Sequence, residues 1–105
     1  MRQTALINRI SDEMRAFFPE ARTVLFGSQA RGTADSESDI DLLVLLPDTY
    51  SGRDFVRRRS EIVDRLYDME IAEGVAISPV VLTDSVWENR RSMFAINVRR
   101  DGMTI

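Results

Sequence analysis

Apolar positions recur along this chain at two periods, and each change of period marks a change of element. From Thr4 to Phe18, Leu6, Ile7, Ile10, Met14, Phe17 and Phe18 fall at spacings of three and four. They make one stripe on a helix that Pro19 stops. Arg22 to Phe26 reads as a short buried strand, and Gly27-Ser28 turns the chain. Gln29-Ala30-Arg31 then predicts a single helical turn, with Ser28 at its N-cap and Gly32 closing it. The polar run Thr33 to Ser38 is a loop. Asp39 to Leu46 reads as a strand, and Leu42 to Leu46 is apolar at every position, which predicts burial on both faces in mid-sheet.

Asp54 to Glu73 predicts the longest helix, with Phe55, Ile62, Leu66 and Met69 as its core stripe and Val63 beside it. Glu61 and Arg65 stand four apart and are expected to pair on its wet side. Val75 to Leu82 is the third strand; Pro79 within it donates no ladder bond and argues for an edge or a bulge. Ser85-Val86-Trp87-Glu88 has the form of a capping box, so a short helix is expected from Ser85, packed down by Trp87. Met93 to Arg100 continues as helix, and Gly102 turns the chain into a short terminal strand or a tail. Met93, Phe94, Ile96 and Val98 are expected to be buried, in this domain or against a partner. The order of elements predicts an α+β domain over residues 1–105, a small mixed β-sheet with helices packed on it. The pattern leaves open whether the first two strands run parallel or antiparallel.

Composition narrows the chemistry. A chain of 105 residues supports one core, and its formal net charge of −3 argues against bulk binding of nucleic acid. Cys and His are absent, and all 14 basic residues are Arg. These absences exclude disulfides, thiol nucleophiles, the Ser-His-Asp triad, a Walker-A lysine and Schiff-base catalysis. Carboxylate, hydroxyl and guanidinium chemistry remains, which suits metal-assisted phosphoryl transfer. No apolar run reaches the roughly 20 residues of a membrane span, and Met1 to Pro19 is amphipathic and carries acids. A cytoplasmic protein with no membrane partner is expected.

The chemistry concentrates between Gly27 and Leu46. Asp39 and Asp41 stand two apart on a predicted strand, so both side chains project to one face while Ile40 points away. Two adjacent like charges call for a cation between them, and Mg²⁺ takes few protein carboxylates when substrate phosphates supply the other oxygens. Twelve residues earlier, the turn at Gly27-Ser28 offers backbone N–H groups and a hydroxyl, and Arg31 adds a cation suited to phosphate. Ser36 or Ser38 could touch phosphate or order the Asp39 carboxylate. Arg57-Arg58-Arg59, the densest positive run, reads either as a solvated helix face or as a contact for a nucleotide tail or acidic partner.

Gly27-Ser28, ten intervening residues and Asp39-Ile40-Asp41 resemble the signature of the DNA polymerase beta-type nucleotidyltransferase superfamily. With Ala30-Arg31-Gly32 and Ser38-Asp39, the short chain looks like the minimal nucleotidyltransferase group, many of them antitoxins encoded beside helical HEPN proteins. The resemblance is sharpest over residues 22–46. It implies the polymerase-beta-type fold, catalysis and metal binding by Asp39 and Asp41, and phosphate binding by Gly27, Ser28, Arg31 and Ser38. It further implies NMP transfer with Mg²⁺, AMP from ATP, to a hydroxyl acceptor such as a tyrosine on a HEPN-type toxin. The family pattern departs in one place. Its third carboxylate belongs on the strand here read as Val75 to Leu82, which holds no acid; Ser78 or a neighbour stands about where it is expected, and Glu70, Glu73 and Asp84 flank the strand. The alternative is a catalytically impaired module of the same fold that neutralises its partner by docking alone. Acceptor, base preference and oligomeric state stay open.

Overall fold

The computed structural model describes residues 2–33 and 39–105. Its elements run α1 (Arg2–Phe17), β1 (Arg22–Phe26), α2 (Ser28–Arg31), β2 (Ile40–Leu46), α3 (Gly52–Glu73), β3 (Ile77–Thr83), α4 (Asp84–Glu88), α5 (Met93–Asp101) and β4 (Met103–Thr104). The four strands form one mixed sheet in the order β3-β2-β1-β4. β1 lies antiparallel to both β2 and β4, which closes the question the sequence left open. β2 and β3 run parallel, joined by α3 as the crossover that a parallel pair requires.

β2 explains the layering. Its even positions, Ile40, Leu42, Val44 and Leu46, enter a core built with Leu6, Ile10 and Met14 of α1 and Ile62 and Leu66 of α3. Its odd positions, Leu43 and Leu45, enter a second core with Trp87 of α4 and Ala95 and Val98 of α5. An unbroken apolar run is therefore what a strand between two helical layers needs. Pro79 lies on the outer strand β3, as its missing N–H predicts.

Charge pairs span α1 and α3 at their interface. Arg9 pairs with Glu73 and Arg65 with Glu13 at 2.8 Å, and in the turn beyond α1 Glu20 takes Arg58 at 2.6 Å. Numbers rise along one helix as they fall along the other, so the two run antiparallel. The expected Glu61–Arg65 pair gives way here: Arg65 reaches across to Glu13, and Glu61 lies 3.5 Å from Arg58 instead. Phe17 also departs from the predicted stripe. It is 49% exposed, and the Arg65 guanidinium covers its ring at 3.5 Å.

Other local expectations shift by a residue or two. α4 starts at Asp84 with Thr83 as its N-cap, because β3 passes directly into it, so no capping box forms at Ser85. Ser92 does cap α5, its hydroxyl accepting from the Ala95 N–H. Ala95 and Val98 are buried, but Met93 and Ile96 are 69% and 54% exposed in the chain as it stands.

Candidate active site

β1 delivers the chain to Gly27, whose φ of 73° and ψ of −155° lie in a region that side chains rarely adopt. Gly27 is the N-cap of α2 and Ser28 its first residue, so the turn begins one residue earlier in the chain than the sequence suggested. The Arg31 N–H donates to the Gly27 carbonyl at 3.1 Å. Gly32, at φ 74°, closes the turn by donating to the Ser28 carbonyl. α2 is fixed from below: the Gln29 carboxamide donates to Gln3 of α1 at 2.8 Å, and Ala30 packs on the α1–α3 core. At its start the first backbone N–H groups have no intrahelical partner, and no side chain caps them among the described residues.

Asp41 lies beneath this turn. A Cβ on Gly27 would collide with Asp41 Oδ2 and stand 3.3 Å from its Cγ. The glycine thus serves both the backbone turn and the close approach to the carboxylate. Asp41 is half-buried in β2, with Phe26 as its partner across β1 and Ser78 as its partner across β3. Ser78, Asp41 and Phe26 form one row on the sheet face that α4 and α5 cover. Asp39 precedes β2 instead of lying within it and is exposed. Burial and the Asp39 charge push the Asp41 carboxyl above its ordinary value, while Arg31 draws it back. The structure thus brings Gly27, Ser28, Arg31, Asp39 and Asp41 to one end of the sheet. Ser38, like Ser36, lies outside the described residues.

No third acid joins them: among the described residues no group of three or more acidic, His or Cys side chains could hold a metal. Each flanking acid has another place. Glu70 accepts from the Ile77 N–H at 2.7 Å, Glu73 pairs with Arg9, and Asp84 begins α4 six residues beyond Ser78, about 20 Å along the strand. The position beside Asp41 belongs to Ser78.

α5 is the part of this region that sequence reasoning missed. Phe94, Asn97 and Val98 of α5 enclose a cavity of about 190 Å³ together with Phe26, Gly27 and Arg31. Asp101, at the end of the helix, is gripped by Arg100 through bonds of 3.0 and 2.9 Å, and both Arg100 and Arg31 hold its carboxyl below the ordinary value. Ser92 ahead of Met93 was the one signal of where this helix begins; nothing local showed where it docks.

The sequence profile of the nucleotidyltransferase domain family matches residues 7–90. The chain belongs to that family. A Methanocaldococcus jannaschii protein assigned by inference as a protein adenylyltransferase is 29% identical over 65 residues, 62% of each chain. The match thus spans less than two thirds of that relative's length. Among solved structures, a toxin–antitoxin crystallised with AMP-PNP superposes with a TM-score of 0.61 at 23% identity, covering 92% of this chain and 69% of the other. A Sulfolobus solfataricus protein assigned by inference as a nucleotidyltransferase gives 0.57 at 20% identity, over 95% and 76%. These structures share the nucleotidyltransferase fold. Among the described residues no helix is long and apolar enough to cross a membrane.

Proposed function

We propose that this nucleotidyltransferase domain transfers AMP from ATP to a hydroxyl acceptor, with Asp39 and Asp41 holding Mg²⁺. The observation that carries the reading is the seating of the Gly27 turn on the Asp41 carboxylate, which brings the glycine-serine turn next to one member of the acid pair. The acid pair suits Mg²⁺: Asp39 and burial both disfavour a bare charge on Asp41, and two carboxylates leave room for phosphate oxygens. The bound ion would neutralise triphosphate charge. The Ser28 hydroxyl, the backbone around it and Arg31 would grip the β and γ phosphates and aim the α-phosphorus at the acceptor. The acceptor hydroxyl releases its proton to water as a bond forms from its oxygen to the α-phosphorus, the α–β bridge breaks, and pyrophosphate leaves.

Calorimetry of ATP with Mg²⁺ tests this on wild type and on Asp39→Asn/Asp41→Asn. Metal-dependent binding should be present in the first and lost in the second, with the domain still folded. Wild type that binds no nucleotide would sink the reading.

For the acceptor we propose a tyrosine on a toxin partner of HEPN type. The toxin–antitoxin structures among the fold's neighbours support it. Incubation of the pair with ATP and Mg²⁺ should add the mass of one AMP to the partner. The second reading, neutralisation by docking alone, is favoured by Ser78 in place of a third acid. It requires that the Asn variants neutralise the partner as well as wild type does.

A further inference from the structure

The cavity walled by α5 points to how the nucleotide is chosen. Its volume, about 190 Å³, is below the range of roughly 300–1,000 Å³ usual for a whole ligand of nucleotide size, and fits one planar ring system. Its walls are aromatic and rigid. Phe26 and Phe94 meet edge to face at 5.3 Å, and Phe94 is braced in the same manner by Trp87 at 6.1 Å. Val98 adds an apolar side. Gly27 and Arg31 line the cavity as well as the phosphate turn, so a nucleotide held there by its phosphates has this hollow beside it.

One lining group offers both a donor and an acceptor. It is Asn97, whose carboxamide makes no hydrogen bond to the protein among the described residues. We propose that this cavity receives the base of the nucleotide and that Asn97 reads its edge and selects adenine. A carboxamide matches the N6 donor and neighbouring ring-nitrogen acceptor of adenine. The corresponding edge of guanine shows two acceptors and calls for a cation such as Arg. Arg31 stands in the fields of Asp41 and Asp101 and is assigned to phosphate. A pyrimidine ring would leave part of the aromatic wall uncovered.

This inference rests on the nucleotide site proposed above, and the test separates the two. ATP, GTP, CTP and inorganic tripolyphosphate are titrated with Mg²⁺ into wild type, Asn97→Leu and Asn97→Asp. Residue 97 is exposed on its helix, so both variants should fold. ATP should bind wild type at least tenfold more tightly than GTP, CTP or tripolyphosphate. Asn97→Leu should erase the preference and leave tripolyphosphate affinity unchanged, and Asn97→Asp, lacking the donor, should lose it too. A preference for ATP that survives both substitutions overturns the role of Asn97. Equal binding of ATP and tripolyphosphate overturns the base cavity while keeping the phosphate site. Failure of wild type to bind either removes the site itself and this inference with it.

Discussion

Gly27 shows how much can depend on a missing side chain. Alanine there would be held at a positive φ with extended ψ, a combination essentially confined to glycine, and would drive a methyl group into the Asp41 carboxylate. Gly27→Ala should cost about 1–3 kcal/mol in stability and weaken metal-dependent ATP binding at least tenfold. Denaturant unfolding and calorimetry check the two halves, and undiminished binding would show that the tight seat does not matter. Ser78 gives the converse case. It is Asp41's neighbour across a parallel pair, about 4.8 Å away in the sheet. Ser78→Asp should therefore create a third ligand and tighten Mn²⁺ binding, measured by spin resonance in the presence of ATP, about tenfold; an unchanged affinity would mean the row does not face the ion. The Gly27 turn and the place of Asp41 on β2 were legible because their geometry is local. The strand alternation that was to set Asp39 beside Asp41 does not reach Asp39, which stands before β2 and is exposed. Asn97 was not legible, because an exposed asparagine on a helix acquires meaning only from what the helix docks against.

At the scale of elements, the arginine run divides by helical phase. Arg58 turns inward, donating to Glu20 and to the Phe17 carbonyl at 2.9 Å, with its guanidinium 4.5 Å above the Phe18 ring. Its neighbours Arg57 and Arg59 are exposed. Of the two readings open at the sequence, Arg58 takes neither and joins helix to helix. Burial alone pushes Glu20 up, but its backbone hydrogen bond and those from Arg58 and Tyr50 outweigh this and bring its carboxyl below the ordinary 4.5. A lowered carboxylate stabilises the fold above its unfolded value and loses that contribution as pH falls through the folded one. Glu20→Gln should thus cost about 1–2 kcal/mol at neutral pH, and the gap to wild type should close on acidification below 4.5. Denaturant curves at neutral and acid pH would show a constant gap if the charge had no part in it. The stripes of α1 and α3 could be read from periodicity, but not the partner of Arg65. Short-range rules offered Glu61, whereas the crossing imposed by the sheet supplied Glu13.

Across the whole molecule, the apolar run in β2 correctly announced a strand covered on both faces. Strand direction stayed hidden, because it depends on how the chain returns and not on what β2 is made of. Leu43 is fully buried on the α5 side of the sheet. Leu43→Ala should remove about 2–5 kcal/mol of stability. By loosening the α5 seat, it should also weaken ATP binding while leaving tripolyphosphate binding nearer wild type. Unfolding curves and paired titrations measure both effects, and parallel losses for the two ligands would argue against a separate role for α5. Met93 and Ile96, expected under cover, remain on the outside of that helix and meet the second half of the expectation only if a partner lies there.

The placement of α5 has a consequence for the order in which the molecule is made. Synthesis delivers both carboxylates and the glycine turn in the first half of the chain, but the wall of the adjoining cavity comes from Phe94, Asn97 and Val98 near its end. A chain still on the ribosome with β2 exposed carries the acids without the hollow. The same late helix covers the odd face of β2, so the act that buries the second core also finishes the cavity. Possession of the cavity is thereby a certificate of assembly, and a fragment cut short before α5 would carry the acid pair without the residues proposed here to read the base.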